Sequence, residues 1–185
     1  TEEVSVLDMA SAYSTFADRG MHYNPYVIRR VEDSNGKVLY DAATEAGSTR
    51  VLEEDVADTV NYVLSGVIAN GTGTGAQFRQ IGAGKTGTTN DNKDAWFVGY
   101  TCELTSAVWM GYPTPEPMEN VYGVTVTGGS YPAEIWRLYM NKAVTDDAAC
   151  SFTKTDAGTR VLNPGLASSR ASTKKSTSRS SSSSK

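Results

Sequence analysis

Residues able to do chemistry concentrate in one stretch, Gly82-Ala83-Gly84-Lys85-Thr86-Gly87-Thr88-Thr89-Asn90. One reading is a phosphate-binding loop, whose last three positions match Gly84-Lys85-Thr86. That pattern needs a glycine five residues before Gly84, where Arg79 stands. It also needs an apolar strand before the loop and a helix opening at the lysine. Gln77-Phe78-Arg79-Gln80 and Thr88-Thr89-Asn90-Asp91-Asn92 supply neither. The other reading is Lys-Thr-Gly on the exposed edge of a strand. His22 is the only histidine, so the chain builds neither a Ser-His-Asp triad nor a multi-histidine zinc site. His22 itself reads as a residue that caps or flanks the first helix. A serine nucleophile paired with lysine would need Ser-x-x-Lys. That spacing occurs at Ser34–Lys37, Ser151–Lys154, Ser172–Lys175 and Ser182–Lys185, and Ser-x-Asn occurs nowhere. The first lies in a hairpin turn and the others in or near a polar tail. A catalytic pair should share a buried helix turn, where desolvation lowers the lysine pKa.

The elements that must position Lys85–Thr88 follow from spacing. Ser5 with Asp8 three residues on signals a capping box. Val6, Met9, Ala10, Tyr13, Phe16 and Ala17 then recur at helical spacing, and Gly20 is the expected stop. Residues 26–31 and 38–40 read as short strands around an Asn35-Gly36 turn. A second helix is expected over residues 52–69, with Val56, Val60, Val63, Leu64, Val67 and Ile68 on one face. Gly71-Thr72-Gly73-Thr74-Gly75 is too glycine-rich for a helix and too polar for a core strand. Three strands follow, over 81–88, 95–100 and 106–112, the latter two favoured by aromatic and β-branched residues. Short links make them antiparallel. A last helix begins near Ser130 and Pro132, with Trp136, Tyr139, Met140, Ala143 and Val144 at helical spacing. Trp96, Trp109 and Trp136 read as packing residues. The order of elements gives an α+β class, an antiparallel sheet packed between helices, with one sheet edge expected to need further strands.

The run from Lys85 through Asp94-Ala95-Trp96-Phe97-Val98-Gly99-Tyr100 resembles, nearly position for position, the transpeptidase domain of class A penicillin-binding proteins. The resemblance begins at Glu3-Val4-Ser5-Val6-Leu7-Asp8-Met9-Ala10, takes in the Gly71–Gly75 loop, and continues into Ser106–Tyr112 and Thr127-Gly128-Gly129-Ser130. It implies a penicillin-binding/β-lactamase-like transpeptidase fold, incomplete in this chain. The implied reaction is serine acyl transfer on wall stem peptides ending in D-Ala-D-Ala, with β-lactam antibiotics as mimics. By the same resemblance, Lys85 shapes proton transfer and attracts the substrate carboxylate, while the Thr86 and Thr88 hydroxyls bind it. Gly87 lets the peptide lie along the strand, and the Thr88 N–H serves an oxyanion hole. Lys85 and Thr88 are thus the catalytic candidates, and Thr86, Gly87 and Thr88 the substrate-binding ones. In the family the Ser-x-x-Lys and Ser-x-Asn motifs precede the helix that begins at Ser5. The nucleophile is therefore expected upstream, and the chain alone is expected to be inactive. Two alternatives remain: a β-lactamase or D,D-carboxypeptidase of the same superfamily, and a non-catalytic module that docks wall peptides.

The hydrophobic fraction is 39% of 185 residues, and the shortfall is local. Residues 1–149 read as the C-terminal part of the transpeptidase domain, and 150–185 as a low-complexity basic Ser/Thr-rich tail expected to be disordered. The tail holds seven Lys/Arg against one Asp, while residues 1–149 hold ten against twenty. Without interleaved aromatics, such a tail does not favour nucleic acid. Acidic wall polymers or phospholipid head groups suit it better. No apolar run approaches the length of a membrane span; the resemblance implies a parent anchored by an N-terminal segment absent here and working on the extracytoplasmic face. No cofactor or metal is expected. Cys102 and Cys150, the only cysteines, are compatible with a disulfide or with two free thiols.

Overall fold

The computed structural model describes residues 3–144 and 151–154. Its first helix, α1 (Val6–Ala17), starts where its sequence cap places it. The Ser5 hydroxyl accepts the Asp8 N–H at 3.0 Å, and the Asp8 carboxylate accepts the Ser5 N–H in return. The helix ends one residue earlier than a Gly20 stop implies. Arg19 (φ 48°) takes the left-handed position after the cap, its N–H donating to Phe16 O, while Gly20 N–H donates to Thr15 O. Gly20 is needed for a second reason: a Cβ there would lie 2.2 Å from Leu52 O.

Two small antiparallel pairs follow. Strand β1 (Met21–Tyr23) pairs with β4 (Ser48–Arg50), and β2 (Arg30–Glu32) with β3 (Val38–Asp41). The β2–β3 turn uses one left-handed residue, Gly36 (φ 79°), rather than both residues of Asn35-Gly36. The Asp33 carboxylate accepts the N–H groups of Asn35 and Lys37 and closes the turn from within. A short helix α2 (Ala42–Glu45) links β3 to β4.

Helix α3 (Glu54–Ala69) leads to the main sheet, the antiparallel meander β5 (Ala83–Thr88), β6 (Asp94–Tyr100) and β7 (Thr105–Gly111), with β6 central. This matches the expected order, type and pairing of those strands. Residues on β6 alternate between two helical layers. Phe97 packs edge-on against Trp136 of α4 (Tyr131–Ala143), whose indole N–H donates to Gly99 O at 3.0 Å. Tyr100 faces the other way, onto Tyr13 of α1 and Asn61 of α3. The sheet is thus packed between helices, and its larger core is Ile68, Ala76, Phe97, Ala133, Trp136, Met140 and Val144. Truncating a side chain such as Trp136, which is 0% exposed, costs about 3–5 kcal/mol in such a setting. Tyr139, expected on the packed face of α4, is exposed.

The buried face of α3 also differs from its apolar spacing. Val56 and Val63 are exposed, whereas Ala57, Asp58, Asn61 and Ile68 are buried. The polar pair is tolerated because each is satisfied. Asp58 takes both arms of the Arg19 guanidinium, at 3.0 and 2.9 Å. Asn61 donates to Phe16 O and accepts the Tyr100 hydroxyl at 2.6 Å. Burial, with Tyr13 adding to it, pushes the Tyr100 hydroxyl pKa well above its ordinary value of 10.0. His22 flanks α1 as expected, its Nδ1 lying 3.2 Å from the Thr15 hydroxyl. Cys102 is disulfide-bonded. Cys150, the only other cysteine in the sequence, lies outside the described residues, as does the tail beyond Lys154. The Phe152 ring packs against Tyr100.

Candidate active site

Lys85–Thr88 occupies the end of β5, on an edge of the three-stranded sheet. Among the described residues the strand pairs with β6 alone: Lys85 with Val98, Thr86 with Phe97, Gly87 with Trp96 and Thr88 with Ala95. Residues paired across an antiparallel ladder share a face. Thr86 and Thr88 therefore lie on the α4 side with Phe97, and Lys85 and Gly87 on the opposite side. This is a strand and not the start of a helix, so the phosphate-loop reading has no backbone to rest on. The Lys85 side chain is exposed, and its ammonium donates to Thr86 O at 2.8 Å.

Each threonine hydroxyl is held by a different glycine-rich segment. Thr86 Oγ1 lies 2.7 Å from Thr72 Oγ1, and Thr88 Oγ1 accepts the Gly128 N–H at 3.0 Å. Thr72 stands just beyond α3, in a turn fixed by Gly71 and Gly73 N–H groups that both donate to Val67 O. A single 3-10 turn (Thr74–Ala76) follows. Gly128 belongs to a turn closed by Ser130, whose N–H and hydroxyl both donate to Thr127 O. The segments touch backbone to backbone. A Cβ on Gly128 would lie 2.3 Å from Trp96 O and 2.6 Å from Gly87 O; one on Gly129 would lie 2.3 Å from Thr72 O. Glycine is required here by close approach. Thr72 and Gly128 were not candidate site residues from sequence. The signal for them was the glycine density itself, at Gly71–Gly75 and Gly128-Gly129, which marks where one backbone must lie on another.

The β5–β6 link anchors the end of the strand. Thr89 N–H donates to Asp94 O at 3.0 Å, and Asp94 N–H donates to Thr89 Oγ1 at 2.8 Å. Asp94 Oδ1 also accepts the Trp109 indole N–H from β7. Asp91 and Asn92 take positive φ in the intervening turn. The Asn92 side-chain amide donates to Val126 O and the Asn92 backbone carbonyl accepts Met118 N–H, joining the turn to a second core of Ala95, Met118 and Val126. The rejected serine candidates stay apart from all of this. Ser34 and Lys37 are exposed in the β2–β3 hairpin, and Ser151 and Lys154 are exposed outside any helix. Ser172 and Ser182 lie outside the described residues.

Residues 2–140 match the family model described as the penicillin binding protein transpeptidase domain. The chain belongs to the penicillin-binding protein transpeptidase family. Its relatives include penicillin-binding protein 1A of Mycolicibacterium smegmatis, 37% identical over 80% of this chain and 20% of that protein. Penicillin-binding protein 1A of Mycobacterium tuberculosis is 36% identical over 82% of the chain and 19% of its own length. The chain thus spans about a fifth of these class A penicillin-binding proteins. Among solved structures, the penicillin-binding protein PonA1 of Mycobacterium tuberculosis superposes with a TM-score of 0.73 at 36% identity, covering 81% of this chain and 41% of that one. PonA1 has also been solved in complex with penicillin V, and that structure superposes equally well. The expected fold class and family resemblance are both upheld.

Proposed function

We propose that this chain is the substrate-facing wall of a peptidoglycan D,D-transpeptidase that cross-links wall stem peptides through a serine acyl-enzyme. The observation that carries this reading is the placement of Lys85-Thr86-Gly87-Thr88 on a free sheet edge with both threonine hydroxyls oriented by neighbouring segments. A peptide ending in D-Ala-D-Ala adds along that edge as an extra strand, and Gly87 leaves room for it. Thr86 and Thr88 donate to its terminal carboxylate, and Lys85 supplies the opposite charge. A serine from a Ser-x-x-Lys motif upstream of Ser5 attacks the penultimate carbonyl. Its proton passes through the neighbouring lysine to the departing D-Ala amine. The Thr88 N–H is one of two donors to the oxyanion, a contribution of roughly 3–4 kcal/mol to the transition state. A second stem-peptide amine then attacks the ester, forms the cross-link and returns the serine. A β-lactam enters by the same contacts, and its ring opens onto the serine. Such a protein works outside the cytoplasmic membrane, anchored by a segment outside this chain, and needs no cofactor or nucleic acid. Residues 1–149 form its domain piece and 150–185 a basic tail suited to acidic wall polymers.

The test uses a fluorescent penicillin with the isolated chain and with the longer protein that includes the upstream motifs. The longer protein is expected to label at one serine upstream of Ser5, and the isolated chain not at all. Lys85→Ala in the longer protein should slow acylation about a hundredfold or more without lowering its melting temperature. Stoichiometric labelling of the isolated chain at a specific serine, or near-normal acylation of the Lys85→Ala variant, would overturn the assignment.

A further inference from the structure

The two site hydroxyls are held by partners of different kind. An amide N–H only donates, so Gly128 fixes Thr88 Oγ1 as an acceptor on that side. The Thr88 hydroxyl proton is thereby left for whatever lies at the strand edge. Thr86 instead meets another hydroxyl, and either oxygen of the 2.7 Å pair can be the donor. When Thr72 donates, Thr86 turns its proton outward; when Thr86 donates, it turns only lone pairs outward. A carboxylate accepts and cannot donate, so it selects the first arrangement. Its charge then strengthens both bonds in the chain from Thr72 through Thr86 to the anion. A neutral carboxamide, which also carries N–H donors, draws no such advantage.

We infer that Thr72 is a positioning residue that sets Thr86 as a donor toward the terminal carboxylate, and so contributes to choosing an anionic terminus over a neutral one. The inference rests on the transpeptidase reading above, in which Thr86 binds that carboxylate. Thr72 is fixed well enough for this task. The N–H groups on either side of it are tied to Val67 O, and Gly129 passes so close that a Cβ there would meet Thr72 O at 2.3 Å. The glycine-rich turn thus holds one hydroxyl against the site strand, from a segment 14 residues away in sequence.

The experiment compares acylation of the longer protein by a penicillin and by its carboxamide derivative, separating binding from the acylation step. Thr72→Val is expected to shrink the preference for the free carboxylate about fivefold, the net worth of one neutral hydrogen bond, through weaker binding. Thr72→Ser, which restores a hydroxyl, should recover most of that preference. In a Thr86→Val background, Thr72→Val should change the preference no further. A Thr72→Val variant that is less stable yet keeps the full preference overturns the inference, as does an additive double variant. If Thr86→Val itself leaves the preference intact, the fault lies with the carboxylate role of Thr86 in the transpeptidase reading. If Thr86→Val reduces it and Thr72→Val does not, only the role of Thr72 fails.

Discussion

Gly128→Ala should damage the site without touching any group that does chemistry. The added methyl would sit 2.3 Å from Trp96 O, 2.6 Å from Gly87 O and 2.8 Å from Gly87 N. All three are backbone atoms of the site strand or its partner, so no side chain can swing aside. Relief has to come from lifting the 127–130 turn off β5, and the lift lengthens the 3.0 Å bond from Gly128 N–H to Thr88 Oγ1. Overpacking of this sort costs about 1–3 kcal/mol. In the proposed role of Thr88, displacing its hydroxyl by about 1 Å costs on the order of a hundredfold in rate. Urea denaturation should therefore show a loss of about 1–3 kcal/mol, and penicillin acylation of the longer protein should slow by about ten- to a hundredfold. Gly66→Ala is the control: it lies in α3 with nothing within 4 Å of the added methyl, and is expected to raise stability by about 0.5–1 kcal/mol. Gly128→Ala with unchanged stability would refute the packing argument. Reduced stability with unchanged acylation would show that the turn does not position Thr88.

Tyr100→Phe removes the buried hydroxyl that donates to Asn61 at 2.6 Å and should cost about 1–3 kcal/mol at neutral pH, because Asn61 Oδ1 loses its donor. The raised Tyr100 pKa means the folded state favours the protonated phenol. Its contribution is full below the ordinary value of 10.0 and declines as pH rises beyond it toward the folded value. Melting temperature against pH from 8 to 11 should consequently fall less steeply for Tyr100→Phe than for the parent protein, and equal slopes would contradict this. Ser5→Ala should destabilise by about 1 kcal/mol through loss of the α1 cap, measured by urea denaturation.

Features set by neighbours in sequence were legible. The Ser5–Asp8 cap involves residues three apart, and the β5–β6–β7 meander follows from alternation and short links. What eluded sequence reasoning depends on distant partners. The buried side of α3 was misassigned because Asp58 and Asn61 look like surface residues until Arg19, Phe16 and Tyr100 are brought to them. Strands β1 and β4 were invisible because three residues each are too few to display a period. At the site, Lys85–Thr88 was legible as a motif. Thr72 and Gly128 were not, since a hydroxyl or an amide in a glycine-rich turn carries no local mark of the threonine it serves. The α1 terminus moved by one residue because Arg19 accepted a left-handed backbone that glycine adopts more readily.

The clamp on Thr88 comes from a residue 40 positions further along the chain, and this sets an order of events at birth. Strand β5 and its hairpin partners emerge from the ribosome and can pair while Gly128 has yet to be translated. Contacts between such distant positions form late, because the intervening loop must first be closed. Synthesis proceeds from the N-terminus, so Thr86 can meet Thr72 as soon as β5 has emerged, whereas Thr88 acquires its Gly128 contact only once residues 127–130 have followed. A nascent chain that already displays its Lys-Thr-Gly edge thus still lacks the amide that orients the Thr88 hydroxyl. That orientation is completed only when the turn ahead of α4 is laid against the sheet.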